Sequence, residues 1–339
     1  MRKIALALLL LLASAVTANA TSWSEREVNL EGELFGTLAI PDGEEPVDAA
    51  LILAGSGPTD RDGNFPSGRN NALKILAHEL AERGIATLRI DKRGVGDSIG
   101  AAPEEEELRA ETYVDDAVRW LEFLEGEARI RRVVAIGHSE GALLATIAAK
   151  RHEVSGLVLL AASGRPAPTL IREQLAGQDL PPGIAARSEE ILQSLERGKT
   201  VADVPPQLDT LYRPSVQPYL ISWFKYDPAA ELAKTNVPAL VIQGTRDLQQ
   251  RPVDGEKLSA AREGVTLVTI ETMNHVLKVA PEDRAGNMAL YTDPRAPLAP
   301  GLADALADFI AKMTREEKTP APQTSSPSEA GGTPAPVSK

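Results

Sequence analysis

The chain of 339 residues contains no cysteine. That excludes disulfides, metal–thiolate sites, a catalytic thiol and lipid attachment through a Cys side chain. A fold without such staples must rest on a sizeable buried core, and the chain is long enough to form one. Histidine is scarce, at four residues, so the search for a general base is short. Aromatic residues make up only 4% of the chain. There is no excess of positive charge: the formal net charge is −12, which argues against nucleic acid and anionic membrane surfaces as partners.

What is present at the two ends is address and tail. Arg2 and Lys3 precede an apolar run from Ile4 to Leu12, followed by small residues ending Ala18-Asn19-Ala20. Basic, apolar and A-x-A regions in that order predict a signal peptide over 1–20, cleaved after Ala20, with export to the periplasm or the extracellular space. The apolar run is shorter than the roughly 20 residues a spanning helix needs, so no membrane span is expected after cleavage. Residues 316–339 are rich in Pro, Ser, Thr and Gly and lack aromatics, a composition that cannot bury enough surface to fold. They are expected to form a disordered tail.

Between the ends, over 21–315, apolar β-like runs alternate with helical stretches. An alternating segment at Val28–Ile40 predicts an antiparallel pair. Strands are expected at Ala49–Ala54, Ile85–Asp91, Arg132–Ile136, Leu157–Ala161, Ala239–Gln243 and Thr266–Glu271. Helices are expected at Ala72–Arg83, Thr112–Glu125, Glu140–Lys150, near Val253–Ala261, and at Leu302–Met313. This order predicts an α/β fold: a mostly parallel sheet with helices on both faces. One segment, about 164–230, breaks the alternation with many prolines and no strand pattern, and reads as a helical cap insertion. It holds Tyr212, Tyr219, Trp223, Phe224 and Tyr226, five of the thirteen aromatics. Of these, Tyr212, Tyr219, Trp223 and Phe224 are candidates for an apolar substrate-pocket wall; the same rings also serve simply to bury a cap against a sheet.

The chemistry centres on Arg132–Gly141, RVVAIGHSEG. A strand pattern runs into Gly137-His138-Ser139-Glu140-Gly141 and a helical pattern follows at once, the order that a nucleophile elbow requires. Ser139 then sits on a sharp turn at a helix N-terminus, with glycines two residues to either side where strand and helix converge. A serine hydroxyl needs a base, and the base needs an orienting acid. His78 falls inside a helical pattern, His138 beside the serine and His152 at a helix end. His275 alone follows a strand at the carboxyl edge where open sheets place their sites, and is the expected base. Asp247, just beyond the strand ALVIQ, is the expected acid, with Asp254 as the fallback. The order Ser139…Asp247…His275 is that of the G-x-S-x-G hydrolases. Oxyanion donors are expected from the backbone N–H of Glu140 and from the loop Gly55-Ser56-Gly57-Pro58, through Ser56 or alternatively Gly57; each such donor is worth about 3–4 kcal/mol of barrier. The Glu140 side chain caps the helix, pairs with Arg61 or Arg93, or selects a cationic group of the substrate.

Together these residues resemble the α/β-hydrolase superfamily over nearly all of Val28 to Met313. Asp91-Lys92-Arg93-Gly94-Val95-Gly96-Asp97-Ser98 resembles its D-x-R-G-x-G-x-S turn. The stretch Gly55–Asn64, the G-H-S-E-G elbow and Asn274–Lys278 are similar to secreted bacterial hydrolases described as esterases or as relatives of serine aminopeptidases and prolyl-oligopeptidase-like peptidases. The resemblance implies a Ser139/Asp247/His275 triad, no cofactor and no metal. The expected activity is carboxylester hydrolysis of small to medium acyl esters. A serine aminopeptidase or short-peptide hydrolase is the alternative, and a non-catalytic binding protein on the same scaffold a third.

Overall fold

A computed structural model describes residues 20–102 and 104–317, with side chains described up to 313. The expected leader (1–20) and the expected tail (316–339) lie outside the described residues except for residue 20 and residues 316–317.

Eight strands form one sheet in the order β1-β2-β4-β3-β5-β6-β7-β8. β1 (Trp23–Leu30) and β2 (Leu34–Pro41) make an antiparallel hairpin, and β2 also runs antiparallel to β4 (Ala86–Ile90). From β4 through β3 (Val47–Leu53), β5 (Ile130–His138), β6 (Gly156–Leu160), β7 (Ala239–Gly244) and β8 (Val265–Ile270) every pairing is parallel. The hairpin begins five residues before the expected segment, because Trp23–Glu27 alternates weakly in hydropathy and is held by pairing with β2 rather than by burial.

Alternation sorts the central strands onto two faces. In β3, Ala49, Leu51 and Leu53 face one core while Ala50 and Ile52 face the other. Ile52, Ile136, Val158 and Leu240 stand side by side across four strands on the second face. Each fully buried aliphatic side chain in such a row contributes about 1.5–3 kcal/mol of transfer free energy. The first face is covered by α2 (Ala110–Gly126), whose Trp120 is fully buried, and by α3 (Glu140–Arg151). The second is covered by α1 (Ala72–Ala81) and α11 (Leu302–Glu317), through Leu73, Leu76, Leu306 and Ile310.

Five helices lie between β6 and β7: α4 (Ala167–Ala176), α5 (Pro182–Glu196), α6 (Asp209–Tyr212), α7 (Gln217–Trp223) and α8 (Pro228–Leu232). Prolines in the first turns of α4, α5, α7 and α8 explain how a proline-rich segment stays helical: there the missing N–H has no helical partner to lose. These helices carry a core of their own, with Ile171, Ile191, Leu192, Leu195, Leu208, Tyr212 and Leu220 buried together. The short helices α9 (Pro252–Ser259) and α10 (Arg284–Ala289) complete the chain. Among the described residues no helix is long and apolar enough to cross a membrane.

The strand order reverses direction between β3 and β5, the crevice where open parallel sheets bind ligands. The backbone is packed closely there. A Cβ on Gly137 would lie 2.2 Å from the Gly141 oxygen, and one on Gly141 would lie 2.4 Å from the Leu53 oxygen. Gly141→Ala is therefore expected to destabilise the protein by about 1–3 kcal/mol. Urea unfolding checks this; an unchanged midpoint would show that β3 and α3 can separate at no cost.

Candidate active site

Four loops at the carboxyl edge of the sheet carry the expected site residues: Ser56, Ser139 and Glu140 line one cavity, and His275 pairs with Asp247. Ser139 follows β5 with φ 54 and ψ −121, a conformation that costs a non-glycine residue on the order of 1–3 kcal/mol and that the surroundings must impose. Its N–H donates to the Leu160 carbonyl at 2.9 Å, so the turn is anchored to β6. The side chain projects at the N-terminus of α3, where the helix dipole favours negative charge.

Asp247 lies beyond β7 with its side chain fully buried. Its Oδ2 accepts from His275 Nδ1 at 2.9 Å, and its Oδ1 accepts from the N–H groups of Gln249 (2.7 Å) and Gln250 (2.9 Å). With Nδ1 committed to the carboxylate, Nε2 of His275 is left as the basic nitrogen. The loop bearing His275 is held from below. Asn274 Oδ1 accepts from the Lys278 N–H at 3.0 Å, and its Nδ2 donates to Asn287 Oδ1 at 3.0 Å. Asn287 Nδ2 in turn donates to the Arg246 carbonyl at 2.8 Å, tying the histidine loop to the aspartate loop. Lys278, buried, donates through Nζ to the carbonyls of Asn70 (2.7 Å) and Asp293.

His138 is the hinge between elbow and histidine loop. Its Nε2–H donates to the His275 carbonyl at 2.7 Å, and the two rings lie 4.9 Å apart. Burial, reinforced by the neighbouring His275, pushes its pKa down to about 4. His78 and His152 instead sit against Glu25 and Glu125 on the periphery.

The loop after β3 abuts Ser139. A Cβ on Gly55 would lie 3.2 Å from Ser139 Cβ. Ser56 and Glu140, the expected sources of oxyanion donors, both line the cavity that contains Ser139. Gly57, the alternative donor, adopts φ 67. The adjoining cavity, about 90 Å³, is lined by Ser56, Ser139, Glu140, Leu143, Ile171 and Trp223 among others.

Several expectations are corrected by packing. Of the four aromatic pocket candidates, only Trp223 lines this cavity. Tyr212 is fully buried in the core of the inserted helices, its hydroxyl paired with Ser188, and Phe224 packs beside Trp223 at that core's margin. Tyr219 donates to Glu140 Oε1 at 2.5 Å. Glu140 does not pair with Arg61 or Arg93: Arg61 holds Asp91, Glu27 and Asp97, and Arg93 holds Asp116. Glu140 is instead buried against Lys92 and Tyr219, and burial raises its pKa against the pull of the Lys92 ammonium. Asp254, the fallback acid, lies in α9 and accepts from Arg165 Nε and Nη2, both at 2.9 Å, rather than from His275. Sequence reading missed Asn274, Asn287, Lys278 and Arg165 as supports of the site. Asn274 and Lys278 carry a signal in the N-H-V-L-K segment Asn274–Lys278, and Lys278 a second one as a lysine within an otherwise apolar stretch, VLKVA.

The depressed pKa of His138 has a consequence for stability. Unfolded, the imidazole takes a proton below its ordinary value of 6.5; folded, it does so only near 4. The unfolded chain thus binds the extra proton in between, and stability is lost as pH falls through that window, by up to about 3 kcal/mol. His138→Gln should lose less stability than the wild type between pH 7 and pH 4.5 in urea titrations; equal losses would show that His138 is protonated in the fold.

Comparison with known proteins agrees with this architecture. The chain is 31% identical over 260 residues to the curated Esterase EstD of Thermotoga maritima, a match covering 76% of this chain but 60% of that relative. The chain therefore spans about 60% of the length of the curated relative it matches. Among solved structures it is similar to Est1E from Butyrivibrio proteoclasticus with ferulic acid bound (TM-score 0.56, 17% identity, 86% of this chain and 99% of that one). It is also similar to the alpha/beta hydrolase GrgF from Penicillium sp. sh18 (TM-score 0.55, 15% identity, 87% and 99%). At these identities the structural likeness speaks to the fold alone. Residues 50–299 match the alpha/beta hydrolase family model, and the chain belongs to that family.

Proposed function

We propose that the protein is an exported serine carboxylesterase that cleaves small to medium acyl esters through an acyl-enzyme on Ser139. The observation that carries this is the hydrogen bond of 2.9 Å from His275 Nδ1 to Asp247 Oδ2, at the sheet edge that also presents Ser139 on its strained turn. An imidazole tethered in this way is a base aimed by its Nε2, and a serine in this conformation is lifted clear of the sheet.

In this reading His275 Nε2 takes the proton from Ser139 Oγ as the oxygen attacks the ester carbonyl carbon. The carbonyl electrons move to oxygen, and the N–H groups of Ser56 and Glu140 receive the oxyanion. Collapse breaks the bond to the alcohol, which leaves with the proton carried by His275. Water then attacks the acyl-enzyme, giving its proton to His275, and the carboxylic acid and free Ser139 are restored. Asp247 holds the tautomer and stabilises the imidazolium without itself taking the proton. The likeness to Esterase EstD supports ester chemistry. A cavity of about 90 Å³ favours short acyl groups; it is several times the roughly 10–15 Å³ that one water needs.

A second reading, amide hydrolysis of short peptides by the same residues, is favoured by Glu140, a carboxylate lining the cavity beside Ser139. That carboxylate already accepts from Tyr219 and faces Lys92, which weakens it as a receptor for a substrate amine.

Ser139→Ala and His275→Ala should each lower kcat by roughly 10⁴-fold or more with the fold intact, and Asp247→Asn by about 10⁴-fold. Turnover by purified Ser139→Ala comparable to wild type would sink the mechanism, as would failure of the wild type to react with a fluorophosphonate probe. On p-nitrophenyl esters the acetate and butyrate should exceed the octanoate in kcat/KM by about tenfold or more. Aminoacyl p-nitroanilides cleaved faster than any ester would make the protein a peptidase.

A further inference from the structure

Lys92 is a buried lysine beside the site for which the proposed reaction has no use. It follows β4 in the turn Asp91-Lys92-Arg93-Gly94, and its backbone is fixed by its neighbour. Asp91 Oδ1 accepts from the Arg61 N–H at 2.8 Å and Asp91 Oδ2 accepts from the Asp97 N–H at 3.0 Å. The Lys92 side chain passes over the Tyr113 ring, with Nζ 5.8 Å from the centroid. Nζ then donates to two carbonyls of one loop, those of Gly55 and Gly57 (2.7 Å).

Those two carbonyls flank the Ser56 amide. The structure has no cis peptide bond among the described residues, so each C=O points opposite to the N–H of the same peptide. Drawing the Gly55 oxygen onto Lys92 therefore drives the Ser56 N–H the other way, away from the lysine. Ser56 lines the cavity that contains Ser139, and a Cβ on the adjoining Gly55 would lie 3.2 Å from Ser139 Cβ. The second grip, on Gly57, falls on a peptide whose nitrogen belongs to Pro58 and has no hydrogen to aim. The peptide between Ser56 and Gly57 is turned by a different group, since its oxygen accepts from Thr59 Oγ1 at 2.9 Å. Of the candidate donors in this loop, Ser56 is thus the one that Lys92 controls.

We propose that Lys92 is a positioning residue for the oxyanion loop: holding the Gly55 and Gly57 carbonyls, it aims the Ser56 N–H at the oxygen that becomes negative in the tetrahedral intermediate. The proposal rests on the serine-hydrolase reading above. It also gives Glu140 a role. A lysine this deeply buried is pushed toward its neutral form by desolvation, and the Glu140 carboxylate opposes that push. Glu140 in turn is held by Tyr219 of α7, so the counter-ion of the loop clamp is supplied jointly by the elbow helix and the inserted helices.

The test compares wild type, Ser139→Ala and Lys92→Met, a substitution of similar length without donors. Each active preparation is counted by fluorophosphonate titration and its folding by urea midpoint. The substrates are p-nitrophenyl acetate and its thionoester, in which a C=S replaces the carbonyl and the sulfur anion accepts hydrogen bonds poorly. Lys92→Met should lower kcat on the oxoester by on the order of 10²-fold with KM little changed, and should narrow the oxoester-to-thionoester ratio of kcat/KM by a similar factor. A lysine that merely stabilises the fold would move the urea midpoint and the titrated fraction but leave that ratio as in the wild type. An unchanged ratio alongside an inactive Ser139→Ala overturns the positioning role and leaves the hydrolase reading standing. Full turnover by Ser139→Ala overturns both. If Lys92→Met fails to fold, Lys92→Gln, which keeps a donor for one carbonyl, is measured in its place: an intermediate ratio supports the proposal and a wild-type ratio overturns it.

Discussion

The structure depends on a close approach of backbone to backbone at the carboxyl edge of the sheet. β3, β5 and the first turn of α3 meet with no room for a Cβ at Gly137 or Gly141, and Gly55 lies against the Ser139 side chain with little more. This contact forces Ser139 into its positive-φ conformation, and the strain it stores is small beside what the two-sided sheet core contributes. Everything placed around the serine is placed relative to this wedge: the Leu160 anchor on one side, the Gly55–Gly57 loop on the other, and His138 reaching across to the backbone of His275.

A second constraint is the balance of buried charge. Isolated charges are costly to bury, so each must find a partner or a fixed set of dipoles. Around the cavity they do so in groups. Arg165 lies between Asp254 and Glu173, Asp247 accepts two backbone N–H groups as well as His275, and Lys92 rests between two carbonyls and Glu140. Such networks orient backbone as well as satisfy charge. The peptide oxygen before Ser56, a residue of the cavity lining, is held by the Lys92 ammonium.

The inserted helices between β6 and β7 join the site through Leu170, Ile171 and Gln174 of α4, through Trp223 and Pro228 at the cavity wall, and through Tyr219 at Glu140, while much of their apolar surface serves a core of their own. That division explains why a count of aromatics overstates the pocket. Tyr212 is large and apolar enough to line a cavity, but its position on α6 turns it inward against α5. The loops after β3, β5, β6 and β7 all line one cavity.

The sequence by itself determined the sheet, its two covering layers and the identity of the elbow. Strand alternation, helical periodicity and the glycine spacing around Ser139 are local signals that depend on neighbours a few residues away. It also singled out Asp247 and His275 as the candidate acid and base, because they combine the right chemistry with a position just past a parallel strand. What only the tertiary structure decided are the pairings between distant segments: Glu140 with Lys92 and Tyr219 rather than with an arginine, Asp254 with Arg165, Asn274 with Asn287, and Lys278 with the Asn70 carbonyl. Charge and hydrogen-bonding capacity are written in each residue. Which partner satisfies them is set by how strands and helices far apart in the chain converge, and that carries no local pattern.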